Sequence, residues 1–293
     1  MATLRELKGR IGSVASSEKI TGAMKMISSA KMHKAEGALR RLQPYRSTIE
    51  SIISNLLTAD ASFSSPLTEP RPVEHATLVV LGSDDGLCGA YNVNLAKFLM
   101  QRVVALRQKY GEGLRITLVP VGRKMAKAVR FMADALTEIV DPSVNSKSEG
   151  DDVKAFEFGL RDQFLDRKTD RVEIVYMHFR SVARQTATAD TLLPLSPEAF
   201  SAEGIKPSAR PYIFEPSAQS IFESVLPMYL LSLVQEIFVE NRASEQAARI
   251  MAMQSANDNA KKLLESLRLE YNKLRQQSIT TELLDIVGGQ VRD

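Results

Sequence analysis

Residues 242–287 contain neither proline nor glycine, and their apolar side chains recur in steps of three and four: Ala247, Ile250, Met253 (or Ala256), Ala260, Leu263/Leu264, Leu267, Tyr271 and Leu274. Spacing of that kind is one face of a helix. At 1.5 Å per residue it runs for roughly 65–70 Å, about twice the width of a small domain. One domain core cannot cover such a length. The helix therefore needs an equally long partner, in its own chain or in another.

The other end of the chain supplies a candidate. Leu4, Leu7, Ile11 and Val14 follow the 3-4-3 spacing of a coiled-coil seam. Glu18 breaks this register, and the pattern is expected to resume at Ile20, Met24 and Ile27. It then passes through Ala30, Ala35, Ala38/Leu39 and Leu42 to Ile49, Ile52/Ile53 and Leu56/Leu57. Pro44 is expected to kink or interrupt the helix near Leu42, because it lacks an N–H and its ring crowds the preceding turn. Gly9, Gly12, Gly22 and Gly37 each weaken the helix by up to ~1 kcal/mol relative to alanine, so packing has to hold it. Met24, Met26 and Met32, with Met251 and Met253, form a soft stripe on both helices. Coiled-coil core is the plain reading of that stripe, and an adaptable partner surface the sharper one. The segment is also basic: Arg5, Lys8, Arg10, Lys19, Lys25, Lys31, Lys34, Arg40, Arg41 and Arg46 outnumber Glu6, Glu18, Glu36 and Glu50. That is either a solvated face or a surface for an acidic partner. Tyr45 is the segment's single Phe, Tyr or Trp, too few for a stacking platform, which argues against nucleic acid.

Between the two helices the texture changes. Ser, Pro, Thr and Asp dominate 58–74, as in a linker. Short β-branched runs follow at 75–82, 115–122 and 171–179, with a short strand near Glu138 and an edge strand at 186–195. Helical spacing appears at 92–110, 124–136 and 154–166. Strand alternating with helix implies a largely parallel sheet with crossover helices. Pro207, Pro211 and Pro216 mark the return to helix near Ser217 or Ser220. The expected architecture is mixed α/β: a long antiparallel coiled coil of N- and C-terminal helices (1–58 and 206–293), a linker (59–74) and an inserted Rossmann-like α/β domain with a mostly parallel sheet (75–205).

The residues set limits on chemistry. One cysteine, Cys88, excludes an internal disulfide and a four-cysteine zinc site, and His33, His75 and His178 stand far apart. A net charge of +3 points to no particular partner. The longest apolar run, Val225–Val239, is broken by Pro227, Ser232, Gln235 and Glu236, so no membrane span is expected. The first thirty residues have an organellar, Arg- and Ser-rich look, but the helical pattern continues through them and they are read as mature protein. The turn SDDGLCGAYN (83–92) follows a strand and precedes a helix, where a phosphate loop would sit. It fits neither GxGxxG nor GxxxxGK[ST], and Asp84 and Asp85 would repel phosphate, so a tight structural turn is favoured. Cys88 reads as a small buried residue. Asp84, Asp85, Asp151 and Asp152 read as solvated loop acids, and no cofactor or metal is expected.

The end of the last helix is unusual. Arg275, Gln276, Gln277, Ser278, Thr280, Thr281 and Glu282 cluster within a few turns, and Leu283, Leu284, Ile286 and Val287 lie beyond them. A solvated helix end does not need an apolar tip. The pattern suits insertion into a snug apolar collar with polar contacts at its mouth.

Long stretches resemble one family. LRELKGRIGSV (4–14), KITGAMKMISSAKM (19–32), SDDGLCGAYN (83–92), ASEQAARIMAMQSANDNA (243–260) and YNKLRQQSITTELLDIVGG (271–289) are similar to the gamma subunits of the F-type ATP synthases, which more usually carry a basic residue at the position of Asp85. The resemblance spans both ends and the middle. It implies a non-catalytic rotor shaft that couples proton flow through a membrane ring to ATP synthesis in a catalytic head. It implies partners in the alpha and beta subunits of that head, an epsilon-type subunit and the c-ring. Its location would be the cytoplasmic face of a bacterial inner membrane, or the matrix side of a mitochondrial one. Positions matching family contact or coupling sites are Met24, Lys25, Arg249, Arg275, Gln276, Thr280 and Glu282, with Leu283, Leu284, Ile286 and Val287 as the bearing tip. A redox cysteine pair of the chloroplast kind is excluded by the single Cys88. Two other readings stand beside this one. The first is a small α/β enzyme binding nucleotide at the Gly82–Tyr91 turn. The second is a coiled-coil scaffold, or a nucleic-acid binder using the basic helix.

Overall fold

The computed structural model describes residues 3–57, 63–196 and 214–290, so Pro207 and Pro211 lie outside the described residues. Two very long helices frame the chain: α1, Leu4–Leu57, and α5, Ala218–Gln290. They run antiparallel, as two contacts far apart along them show. Asn257 of α5 meets Glu18 of α1, and Arg46 of α1 meets Glu236 of α5. The start of α1 is closed by a reciprocal cap. Thr3 N–H donates to Glu6 Oε2 at 2.8 Å, and Glu6 N–H donates to Thr3 Oγ1 at 3.2 Å.

Two expectations for α1 are corrected. Its helix is not interrupted at Pro44, an exposed position, and continues to Leu57. The seam is not broken at Glu18 either. The inward line is Leu4, Leu7, Ile11, Val14, Glu18, Thr21, Lys25, Ser28, Met32, Ala35, Leu39, Leu42, Arg46, Ile49, Ile53 and Leu56, each buried or half-buried. The 3-4 alternation is unbroken, but its middle turns are polar. Ile20, Met26 and Ile27, expected on or beside the seam, point outward and are 59%, 68% and 56% exposed. On α5 the matching line is Ile250, Met253, Asn257, Ala260, Leu264, Leu267, Tyr271 and Leu274. The methionine stripe splits accordingly: Met32 and Met253 are buried, whereas Met26 and Met251 are exposed.

Between the helices lies a five-stranded sheet. In chain order its elements are β1 (His75–Leu81), α2 (Tyr91–Tyr110), β2 (Arg115–Val121), α3 (Arg123–Val129), β3 (Thr137–Ile139), α4 (Asp151–Leu165), β4 (Arg171–Ser181) and β5 (Arg184–Leu193). The strand order is β3-β2-β1-β4-β5, parallel except for the antiparallel β4–β5 pair. The helix expected over 124–136 stops at Val129 and tightens into a 3-10 turn at Arg130–Met132 before β3.

Alternate residues of each strand feed two cores, as the two-residue period of a sheet requires. Leu78, Val80, Ile116 and Leu118 pack with Leu95, Leu99 and Leu106 of α2 and Met125 of α3. Val79, Leu81, Val172 and Ile174 pack with Phe156 and Phe164 of α4, Ile53 of α1, and Phe222, Leu226, Val234 and Phe238 of α5. The second core therefore fuses the domain to both long helices. By length and composition α5 could cross a membrane, but half of its most apolar stretch is buried inside the fold. That burial accounts for its apolarity.

Candidate functional site

The molecule presents three surfaces of interest: the joint between sheet and shaft, the polar part of the seam, and the bare end of α5. The joint begins with an unfinished ladder. β1 pairs with β4 only as far as Val80 opposite Val175, so β4 runs on without a neighbour on that side. Backbone groups left there need partners. α5 supplies them from polar side chains that follow its apolar stretch. Asn241 Oδ1 accepts from Met177 N–H at 3.1 Å and from the Tyr91 hydroxyl at 2.7 Å. Ser244 Oγ donates to the Met177 carbonyl at 2.7 Å, and Glu240 accepts from Phe179 N–H at 3.0 Å. Burial raises the Glu240 pKa, and the bond from Phe179 and nearby His178 act against that rise. Glu240, Asn241 and Ser244 are not apparent as functional residues in the sequence. Their signal is a polar cluster directly after the apolar run that ends at Val239.

The 83–92 turn completes the joint. Asp84 is buried and accepts from Arg123 N–H at 3.0 Å, Ser146 N–H at 3.1 Å and Ser146 Oγ at 2.8 Å. Its carboxylate pins three segments and occupies the place a phosphate loop would leave open. Gly82 and Gly122 allow the strand ends to meet. A Cβ on Gly82 would fall 2.3 Å from Met125 Cβ, and one on Gly122 would fall 2.8 Å from the Ser83 backbone. Cys88 is buried, with Asn92 Nδ2 at 3.6 Å from its sulfur. Asp85 is half exposed, and its pKa is lowered chiefly by the hydrogen bond from Lys147.

Arg249 binds this turn to α5. Its guanidinium donates to Glu245 at 2.7 Å, to the Gly86 carbonyl at 3.2 Å and to the Asp85 carbonyl at 3.4 Å. At 6% exposure it faces inward, within the chain. Burial raises the pKa of Glu245, and Arg249 opposes that rise.

Met24 and Lys25 lie half-buried on α1, Lys25 in the polar seam and Met24 at its border. Asn257 Nδ2 donates to the Glu18 carbonyl at 2.7 Å and to Thr21 Oγ1 at 3.3 Å. Gly22, next to Thr21 on α1, leaves room for that amide: a Cβ there would already lie 3.4 Å from Asn257 Nδ2.

At the far end α5 outruns α1. Arg275, Gln276, Thr280 and Glu282 are exposed. Leu283, Leu284 and Ile286 are 57%, 66% and 63% exposed. The side chain of Val287 lies outside the described ones. Thr280 and Thr281 hydroxyls donate to Gln276 and Gln277 carbonyls at 2.9 Å, so the tip satisfies its hydroxyls within its own helix. Among the described residues no cluster of His, Cys, Asp and Glu could hold a metal ion.

A long antiparallel helical pair, an α/β domain clamped to the end where α1 finishes and α5 begins, and a bare helical tip at the other end define a stalk-type subunit of a larger assembly. The family model described as ATP synthase matches residues 3–291. The ATP synthase gamma chain of Phocaeicola vulgatus is 41% identical over 295 residues, covering 99% of this chain and 100% of that one. The gamma chain of Bacteroides fragilis is 39% identical over 296 residues, with 99% and 100% covered. Among solved structures, a chain of the Euglena gracilis mitochondrial ATP synthase, OSCP/F1/c-ring in rotational state 3, superposes with a TM-score of 0.68 at 22% identity, covering 98% of this chain and 93% of that chain. A chain from the central stalk and c-ring of the Tetrahymena thermophila mitochondrial enzyme gives 0.55 at 22% identity, covering 81% and 99%. The chain belongs to the ATP synthase gamma-chain family.

Proposed function

We propose that this chain is the rotating central shaft of an F-type ATP synthase, coupling proton flow through a membrane c-ring to ATP synthesis in the catalytic head. The observation that carries the reading is the mismatch of the two helices. α5 continues past the start of α1 as a single helix with an exposed apolar end. An unpartnered apolar end of that kind has a use when a collar surrounds it. The collar in this reading is formed by the alpha and beta subunits, contacted by Arg275, Gln276, Thr280 and Glu282 at its mouth and by Leu283, Leu284, Ile286 and Val287 within it. Met24 and Lys25 lie beside the outward patch of Ile20, Met26 and Ile27, and together they form the second contact with the head. Arg249, being internal, acts instead by holding the α/β domain rigidly on the shaft.

The chain itself is non-catalytic and uses no cofactor. Its epsilon-type partner and the c-ring meet the α/β domain, on the cytoplasmic face of a bacterial inner membrane or the equivalent matrix face, and nucleic acid has no part. The shaft is asymmetric, so three equivalent catalytic sites meet different faces at any instant. Those contacts shift a site's conformation only in so far as they differ in free energy between conformations.

Cross-linking tests this. A Met26→Cys chain is bonded to a cysteine placed in the facing loop of a catalytic subunit. ATP-driven proton pumping is expected to stop on oxidation and to return on reduction. Undiminished pumping in the fully cross-linked complex overturns the rotary reading.

A further inference from the structure

Two of the cavities beside the α1–α5 pair carry opposite charge. The first, of about 570 Å³, lies against β4 and β5 and is lined by Glu36, Asp190, Glu236 and Glu240, with Arg40 and Arg46. The second, of about 460 Å³, lies between α1, α5 and the loop entering α4. Small-molecule sites are commonly of this size. Its floor is apolar, made by Ala38 and Leu42 of α1, Val153 of α4, and Phe238 and Val239 of α5.

The wall of the second cavity is positive. Its carboxylates are already engaged: Asp85 with Lys147 at 2.9 Å, Glu149 with Arg242, and Glu245 with Arg249 at 2.7 Å. Lys31, Lys34 and Arg41 line the same cavity from one face of α1 and have no carboxylate partner among the described residues. Arg242, also in the lining, is engaged within the chain. Two of its nitrogens are taken by Glu149 and the Ser148 carbonyl, but its buried Nε has no hydrogen-bond partner. Three unpaired cations around an apolar floor are complementary to one kind of molecule.

We propose that this cavity binds a small amphiphilic anion, an apolar body carrying one phosphate or carboxylate head. The body fills the space over Phe238 and Val153, and the head meets Lys31, Lys34 and Arg41. Such a ligand touches both shaft helices and the 146–150 loop at once. That loop also carries Ser146 and Lys147, which hold Asp84 and Asp85, so the ligand braces the joint between the α/β domain and the shaft. The inference stands on the cavity alone and is independent of the rotary reading.

The test is calorimetric titration of the full chain with n-octyl phosphate, n-octyltrimethylammonium and inorganic phosphate. Saturable binding at one site is expected for octyl phosphate alone. Equal binding of the cationic amphiphile, or of inorganic phosphate, overturns the proposal, because charge or the apolar floor then plays no part. Lys31→Glu with Lys34→Glu, both at exposed positions, is expected to weaken octyl phosphate at least about tenfold. Ala38→Trp, which fills the floor, is expected to abolish binding while circular dichroism shows the fold retained. Unchanged affinity in either variant overturns the assignment. The same titration on the assembled complex is expected to give one site per shaft. Its loss there would mean that a partner segment covers the cavity, and would overturn its use in the working enzyme.

Discussion

Asn257 reaches across the helical pair and donates its side-chain amide to the backbone carbonyl of Glu18 at 2.7 Å, at a seam position where a coiled coil ordinarily places an apolar residue. Thr21 shares the same amide at 3.3 Å. The middle of the shaft is thus joined by hydrogen bonds, while its ends are joined by Leu7, Leu264 and Leu267 on one side and Ile49 and Ile53 on the other. A polar seam residue of this kind fixes register at a cost in stability.

Replacing Asn257 should therefore separate stability from register. Asn257→Ala is expected to cost about 1 kcal/mol, the net worth of the lost hydrogen bonds. Asn257→Leu is expected to recover that loss by restoring an apolar seam, while loosening the pairing register. Urea unfolding measures the first effect. Disulfide trapping between cysteines placed at matched and staggered seam positions measures the second. A Leu variant that traps only the native register would show that Asn257 does not set it.

This stretch also shows where the sequence stops being legible. The length of α5, the strand–helix alternation and the outward tip follow from residue periodicity alone, because they depend on neighbours in the chain. The seam between Glu18 and Ser28 does not. Polar residues there read as a break, and only Asn257, 239 positions away, explains why they face inward. Once that register is misread, Ile20 and Ile27 are assigned to the core and the outward patch disappears. The joint is hidden for the same reason. Asn241 and Ser244 look like ordinary polar positions after an apolar run until β4 is seen to outrun β1. Pro44 misleads in the opposite direction: it reads as an interruption, yet the helix continues through it at an exposed position.

The Arg249–Glu245 pair makes a sharper stability prediction. Both side chains are nearly inaccessible, and the arginine also satisfies two carbonyls of the 83–92 turn. Arg249→Ala leaves a buried carboxylate unpaired and is expected to cost about 3 kcal/mol or more. The double variant Arg249→Met with Glu245→Gln removes the stranded charge and is expected to recover over half of that loss. Chemical denaturation of the double variant and of the single variants Arg249→Met and Glu245→Gln closes the cycle. Simple additivity would show that the pair is not coupled.

Glu157 predicts a pH dependence. It is 1% exposed, and neither carboxylate oxygen has a hydrogen-bond partner. Burial pushes its pKa from 4.5 up to about 7, against the pull of Arg161. Below the lower value both folded and unfolded chains hold the proton. As pH rises from 4.5 toward about 7 the unfolded chain ionises first, so this group lowers stability across that window. The loss is expected to be about 3 kcal/mol and complete above the folded pKa. Glu157→Gln cannot ionise and should flatten that part of the profile, leaving the variant more stable than the parent at pH 8. Parallel profiles for the two proteins would assign the pH dependence to other groups.

The tip separates folding from assembly. Leu283 and Leu284 are largely exposed at the end of a single helix, and no described residue covers them. Leu283→Asp with Leu284→Asp should therefore change the stability of the free chain by less than about 1 kcal/mol, the ordinary range for exposed sites. Within the complex the same change places two carboxylates in an apolar collar, where an unpaired charge is strongly disfavoured. The yield of assembled head and stalk is expected to fall steeply while the melting of the free chain stays put, read by native gel and by circular dichroism. Alanine at both positions should fall between, since it removes apolar area without adding charge. If the aspartate chain assembles and pumps like the parent, the exposed leucines are not seated in a collar. The mouth contacts at Arg275, Gln276, Thr280 and Glu282 would then have to hold the tip alone.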